Sequence, residues 1–214
     1  MVKYSTKLYE SNCGIASVVG FKASNTINRD ISDEDNFIFI HVIVDSKKIT
    51  IYQYILSMMY NYLDRFLNGK LSDVKQLHLM NLKEKLARAF DASRGKNSDP
   101  DLDGGSAYTR MTNMIKAFEA PNQVKFCLVS FMDYLKEIGI MDEGEKIIFH
   151  IELANIEILG EDIYREMDRI SCENIFFIVS IPSTPEYVIQ KARSKDGYFY
   201  LEKYCHPNQI MYIL

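Results

Sequence analysis

The apolar positions along the chain fall into two kinds of repeat. From Phe37 to Val44 the sequence reads Phe-Ile-Phe-Ile-His-Val-Ile-Val, apolar at odd and even positions alike and rich in β-branched residues. Such a run predicts a strand covered on both faces. Next, Ile51, Ile55, Met58, Met59, Tyr62, Leu63 and Phe66 recur at steps of three and four, the spacing of one helical face, and Asn68-Gly69 supplies a stop. Ser72 stands where it can cap a second helix, with Leu79, Leu82, Leu86 and Phe90 as its apolar stripe and an end near Gly95.

After a polar stretch, Ser106 is placed to cap a short helix carrying Tyr108, Met111, Ile115 and Phe118 on one face, and Pro121 is expected to end it. A further helix is predicted over 124–138, with Gly139 just past its end. The period then shifts toward two. Residues 146–153 and 174–181 read as strands around a short helix, 161–169. Residues 187–193 and 198–204 read as a closing hairpin about Asp196-Gly197, and 208–214 as a last edge strand. The first 30 residues mix short apolar runs, such as Gly14-Ile-Ala-Ser-Val-Val-Gly20, with polar stretches and yield no assignment.

Helices in the middle and strands toward the end predict an α+β fold: central helices packed against a mostly antiparallel sheet whose strands are concentrated in the C-terminal third. The 214 residues suit a single domain, 1–214, and the polar loop 93–106 is where it would subdivide. Composition is that of a globular chain, 47% hydrophobic and 25% charged, which excludes a disordered or collagen-like polypeptide. Apolar runs of about eight residues fall far short of the roughly 20 that span a bilayer. Residues 1–7 open no apolar stretch before a small-residue cleavage site, so no signal peptide is expected.

Charge is distributed unevenly along the chain. Residues 1–96 hold 14 Lys and Arg against 10 Asp and Glu, a net of +4, whereas 97–214 hold 11 against 19, a net of −8. The basic, helix-rich part ends in Lys83, Lys85 and Arg88, and the acidic, strand-containing part begins beyond the loop. Opposite charges on one molecule favour head-to-tail self-association. A pI near 5.6 argues against nucleic acid as the partner, leaving the basic part as its only foothold. Cys13, Cys127, Cys172 and Cys205 form neither a CxxC nor a disulfide spacing, which predicts a reducing, cytoplasmic compartment.

Candidate chemistry is thin. Asp99, Asp101 and Asp103 with Gly104 match the first half of an EF-hand loop, but Arg110 occupies the place of the bidentate Glu. Asp101 with Glu152 would begin a metal-dependent nuclease site, yet Ala154 stands where its Lys belongs. Cys13, His41 and Asp45 can be drawn as a nucleophilic set, although His41 lies among apolar neighbours. Neither Gly-x-Gly-x-x-Gly nor Gly-x4-Gly-Lys-Ser/Thr occurs, and no cofactor is expected. Alternation places Tyr198, Tyr200 and Tyr204 on one face of the expected hairpin, a surface suited to contact. The reading is therefore a non-enzymatic, self-associating interaction or structural protein, such as a viral structural or accessory protein or a bacterial adaptor or immunity protein. The alternative is a divalent-metal-dependent hydrolase or nuclease using Asp99, Asp101 and Asp103.

Overall fold

The computed structural model describes residues 14–32, 37–67, 71–93, 107–193, 198–205 and 207–213. In chain order the elements begin with β1 (Gly14–Val19), α1 (Ala23–Ser32) and β2 (Phe37–Val44). Three helices follow: α2 (Ile51–Asp64), α3 (Asp73–Ser93) and α4 (Ala107–Glu137). The remainder comprises β3 (Lys146–Leu153), α5 (Glu161–Ile170), β4 (Ile175–Ile181), α6 (Pro185–Lys191), α7 (Leu201–Tyr204) and β5 (Ile210–Tyr212). Two compact units result, one of Met1–Ser46 with Gly144–Leu214, the other of Lys47–Glu143. The polar segment 93–106 falls within the second unit, and 94–106 lie outside the described residues.

The first unit holds a five-stranded sheet in the order β2-β3-β4-β1-β5, and every ladder in it is parallel. This overturns the expected antiparallel sheet, and the strands are spread along the chain instead of gathered in its last third. β3 and β4 bury nearly every residue, as the strands of a parallel sheet covered on both faces do. Parallel neighbours need crossovers, and α1 and α5 occupy the β1-to-β2 and β3-to-β4 connections. β2 departs from its expected full coverage. Ile38, Ile40, Val42 and Val44 are buried, but Phe37, Phe39 and His41 are half-buried and Ile43 is exposed, because β2 lies at the sheet edge. On the α1 side, Ala23 and Ile27 pack with Ala16, Val18, Ile148, Phe176 and Ile178.

The expected closing hairpin is also overturned. Ser183-Thr184-Pro185 is a helix start: Thr184 Oγ1 accepts from the Tyr187 N–H at 3.4 Å, and Pro185 needs no donor in the first turn. Residues 185–191 are therefore helix α6 and 201–204 helix α7, and an isolated antiparallel bridge, Arg193 to Phe199, joins the two segments. Asp196-Gly197 lies outside the described residues. The expected edge strand is present as β5, paired parallel to β1.

In the second unit, Thr50 and Gln53 close a reciprocal capping box at the start of α2. Ile51, Ile55, Met59 and Leu63 form its buried face, and the helix stops at Asp64. Ser72 accepts from the Lys75 N–H at the start of α3, whose Leu79, Leu82 and Leu86 are buried. The break expected at Pro121 does not occur, since α4 runs through it. Proline withholds one N–H from the preceding turn. The buried row Val124, Cys127, Leu128, Phe131 and Leu135 holds α4 in place beyond it. Ser106 lies outside the described residues. Gly139, at φ +75°, ends the helix as expected, with the Ile140 N–H returning to the Leu135 carbonyl at 2.9 Å. Among the described residues no helix is long and apolar enough to cross a membrane.

Candidate functional site

The strand order fixes where a ligand would sit. From β1 the chain crosses toward β2 on the face of Ala16 and Val18, where α1 packs, and from β4 it crosses β1 to reach β5 on the face of Ser17, which meets Cys205 of that connection. β1 and β4 are neighbours whose connections leave on opposite faces of the sheet, so the loops beyond their carboxyl ends part. That crevice is where open parallel sheets bind ligands.

Gly20, Phe21 and Lys22 make the turn between β1 and α1. Gly20 donates to the Ile181 carbonyl at 3.0 Å, its own carbonyl accepts from Ala23 at 3.0 Å, and the Ile213 N–H donates to Val19 at 2.7 Å. The turn is thus tied to the ends of β4 and β5. At φ +152°, Gly20 holds a backbone conformation that side chains disfavour, and a Cβ there would lie 2.4 Å from the Ile213 carbonyl oxygen. Only glycine fits.

A cavity of about 350 Å³ opens at this point, within the usual range of about 300–1,000 Å³ for small-ligand sites. Phe21 and Lys22 contribute from the turn after β1, Ser183, Pro185 and Glu186 from the segment after β4, and Ile213 from beyond β5. Ser183 is buried, whereas Phe21 is 75% exposed, a large ring left at the rim. The first turn of α1 follows directly, and with it the positive end of the helix dipole.

Beneath α1 lies a chain of polar side chains. Ser24, in the first turn, donates to Glu152 Oε2 at 2.5 Å, and His41 Nε2 lies 2.7 Å from the same oxygen. The His41 ring stacks on His150, with centroids 4.7 Å apart and 14° between planes. His150 is fully buried; burial foremost, then the neighbouring His41, pushes its pKa down from 6.5 to about 3. It is neutral, so Nδ1–H donates to Asn28 Oδ1 at 3.0 Å and Nε2 accepts from Ser180 Oγ at 2.9 Å. Ser24 and His41 converge on one carboxylate and not on each other, which is not the hand-to-hand order of a nucleophile, base and orienting acid. Ser24 and Glu152 are hard oxygen donors of the kind Mg²⁺ takes. Among the described residues, however, no group of three His, Cys, Asp or Glu is placed to hold a metal ion.

The residues singled out by sequence fall elsewhere. Asp99, Asp101, Asp103 and Cys13 lie outside the described residues. His41 meets Glu152 of the neighbouring strand β3, and Ser24 engages the same carboxylate. Lys83 pairs with Asp64 and lies 4.1 Å from the Tyr60 ring centroid, Arg88 pairs with Glu84, and Lys85 lies 5.2 Å from the Phe126 ring centroid. Tyr200 is buried, while Tyr198 and Tyr204 each donate to Glu161 Oε1 at 3.0 Å. Cys127, Cys172 and Cys205 carry free thiols, and burial raises those of Cys127 and Cys205 to about 11.

Gly20, Lys22 and Ser183 are not singled out by sequence, but a signal for the first is present. Read from Gly20, the pattern Gly-x4-Gly-Lys-Ser/Thr is met at its first position only, and Asn25, Thr26 and Ile27 hold the last three. The segment lacks the motif's second glycine, lysine and hydroxyl residue, and keeps only a short apolar run, a glycine and then a helix. No protein-family model matches the chain, and no curated protein matches it in sequence.

Proposed function

We propose that the first unit binds a phosphate-bearing ligand of mononucleotide size in the crevice between the ends of β1 and β4, without transferring its phosphoryl group. The observation that carries this reading is the cavity at the point where the strand connections diverge, lined by Phe21 and Lys22 of the turn after β1 and by Ser183 of the segment after β4. Lys22 and the first turn of α1 supply positive charge for a phosphate. Phe21, Pro185 and Ile213 supply apolar surface for a ring, and Glu186 an acceptor for a sugar hydroxyl or an amino group. Phosphoryl transfer on such a frame needs a lysine on the β- and γ-phosphates and a hydroxyl on Mg²⁺. Thr26 and Ile27 stand in those places, and Ile27 is wholly buried in the core.

ADP at about 100 times its Kd should stabilise the protein by about 2.7 kcal/mol, read as a rise in melting temperature. Lys22→Ala should remove most of that rise, with no phosphate released from ATP by either protein. No shift with ADP, ATP or pyrophosphate at millimolar concentration would sink the reading.

A protein-contact role, including self-association, is a second reading with its own support. Val74, Leu77 and Met80 recur every three residues along α3 and are 62%, 57% and 64% exposed. Three adjacent apolar side chains in water favour a covering partner. Leu77→Glu with Met80→Glu should reduce any concentration-dependent light scattering, and a wild-type chain that stays monomeric at high concentration removes self-association.

A further inference from the structure

We infer that the groove between α3 and α4 in the second unit is a binding site for a small aromatic anion. A cavity of about 550 Å³ opens there, ample for a two- or three-ring ligand. Two cations, Lys85 and Arg88, line it from α3, and Asn122, Gln123, Phe126 and Cys127 line it from α4. Phe126 is 58% exposed, a ring free to stack, and Ala89 with Cys127 provides a buried apolar floor.

The charge here is not spent internally. Among the described residues Lys85 forms no ion pair; its ammonium lies 5.2 Å from the Phe126 centroid, so one ligand can meet cation and ring together. Among the same residues Arg88 is held only by Glu84, one turn away on the exposed helix surface, a pairing worth little and readily exchanged. The Lys85 charge reaches the cavity wall, where it opposes the rise that burial imposes on the Cys127 thiol. That thiol stays protonated, so the site binds and does not attack. Glu119 is the one carboxylate lining the cavity among the described residues. Along the same groove, Lys85 borders a second cavity of about 260 Å³ lined by Asp133 and Glu137, which directs an anion toward the Arg88 end.

The test uses two fluorescent probes with the same rings, anilinonaphthalene sulfonate and uncharged N-phenyl-1-naphthylamine. The sulfonate should bind the full chain at least tenfold more tightly than the neutral probe. Lys85→Gln with Arg88→Gln should weaken the sulfonate at least tenfold and leave the neutral probe unchanged, while Phe126→Ala weakens both. The side-chain amide NMR signals of Asn122 and Gln123 should move on titration. Lys22→Ala, in the nucleotide crevice, should leave sulfonate binding intact, so the two sites stand or fall separately. Equal affinity for both probes, or undiminished sulfonate binding by the folded double variant, overturns the inference.

Discussion

Gly20→Ala should destabilise the first unit by on the order of 3 kcal/mol, the largest effect expected of an alanine at any glycine among the described residues. Two costs combine. An alanine held at φ +152° sits in a region that costs about 1–3 kcal/mol for a side chain. Its Cβ would also meet the Ile213 carbonyl oxygen at 2.4 Å, a backbone atom that can retreat only by loosening β5 from β1. Gly139→Ala is the control. That glycine lies at φ +75°, and an added Cβ would find no heavy atom within 4 Å, so about 1 kcal/mol of backbone strain is all it should cost. Urea unfolding of both variants measures the contrast, and equal losses would contradict the tight junction of β1, β4 and β5.

Acid should weaken the same unit through His150. In the folded chain its pKa is held at about 3, against 6.5 for an unperturbed imidazole. Between those values the unfolded chain binds the proton and the folded chain does not, so stability falls as pH falls. The contribution is whole above about pH 6.5 and drains toward about pH 3. By about pH 4.5 the loss from this group reaches roughly 2 kcal/mol relative to neutral pH. His150→Gln keeps a side chain able to bond Asn28 and Ser180 but cannot titrate. Its melting temperature should fall less than that of the wild type over this interval. Parallel pH profiles for the two proteins would place the acid sensitivity elsewhere.

Much of the secondary structure is legible in sequence, because β2, β3 and β4 are short apolar runs rich in β-branched and aromatic residues, and α2 and α3 carry helical spacing. The sheet's direction is not. A buried run such as Ile175–Ile181 has the same appearance whichever way its neighbour points, and pairing is decided by contacts distant in sequence, such as Ile15 with Phe177. The last third misleads further. Asp-Gly is a strong turn signal, but Thr184-Pro185 just upstream is an equally local helix signal, and burial of Val188 and Leu201 decides between them. β1 is hard to read because Gly14, Ala16 and Ser17 dilute its apolar character. With β1 unassigned, Gly20 has no strand to terminate, and the crevice stays hidden. His41 and Glu152 are each visible in sequence, yet their pairing depends on a parallel register that only the folded sheet provides.

Ligand binding where the connections of β1 and β4 diverge can be read residue by residue in an NMR titration of the full chain with ADP. The backbone amide signals of Gly20, Phe21, Lys22, Ala23 and Ser24, with those of Ser183 and Thr184, should shift in a saturable way. Lys22→Ala should weaken the response at least tenfold. An unchanged spectrum at millimolar ADP would contradict the account, as would shifts centred on Lys85 and Phe126 that leave Gly20 through Ser24 unmoved.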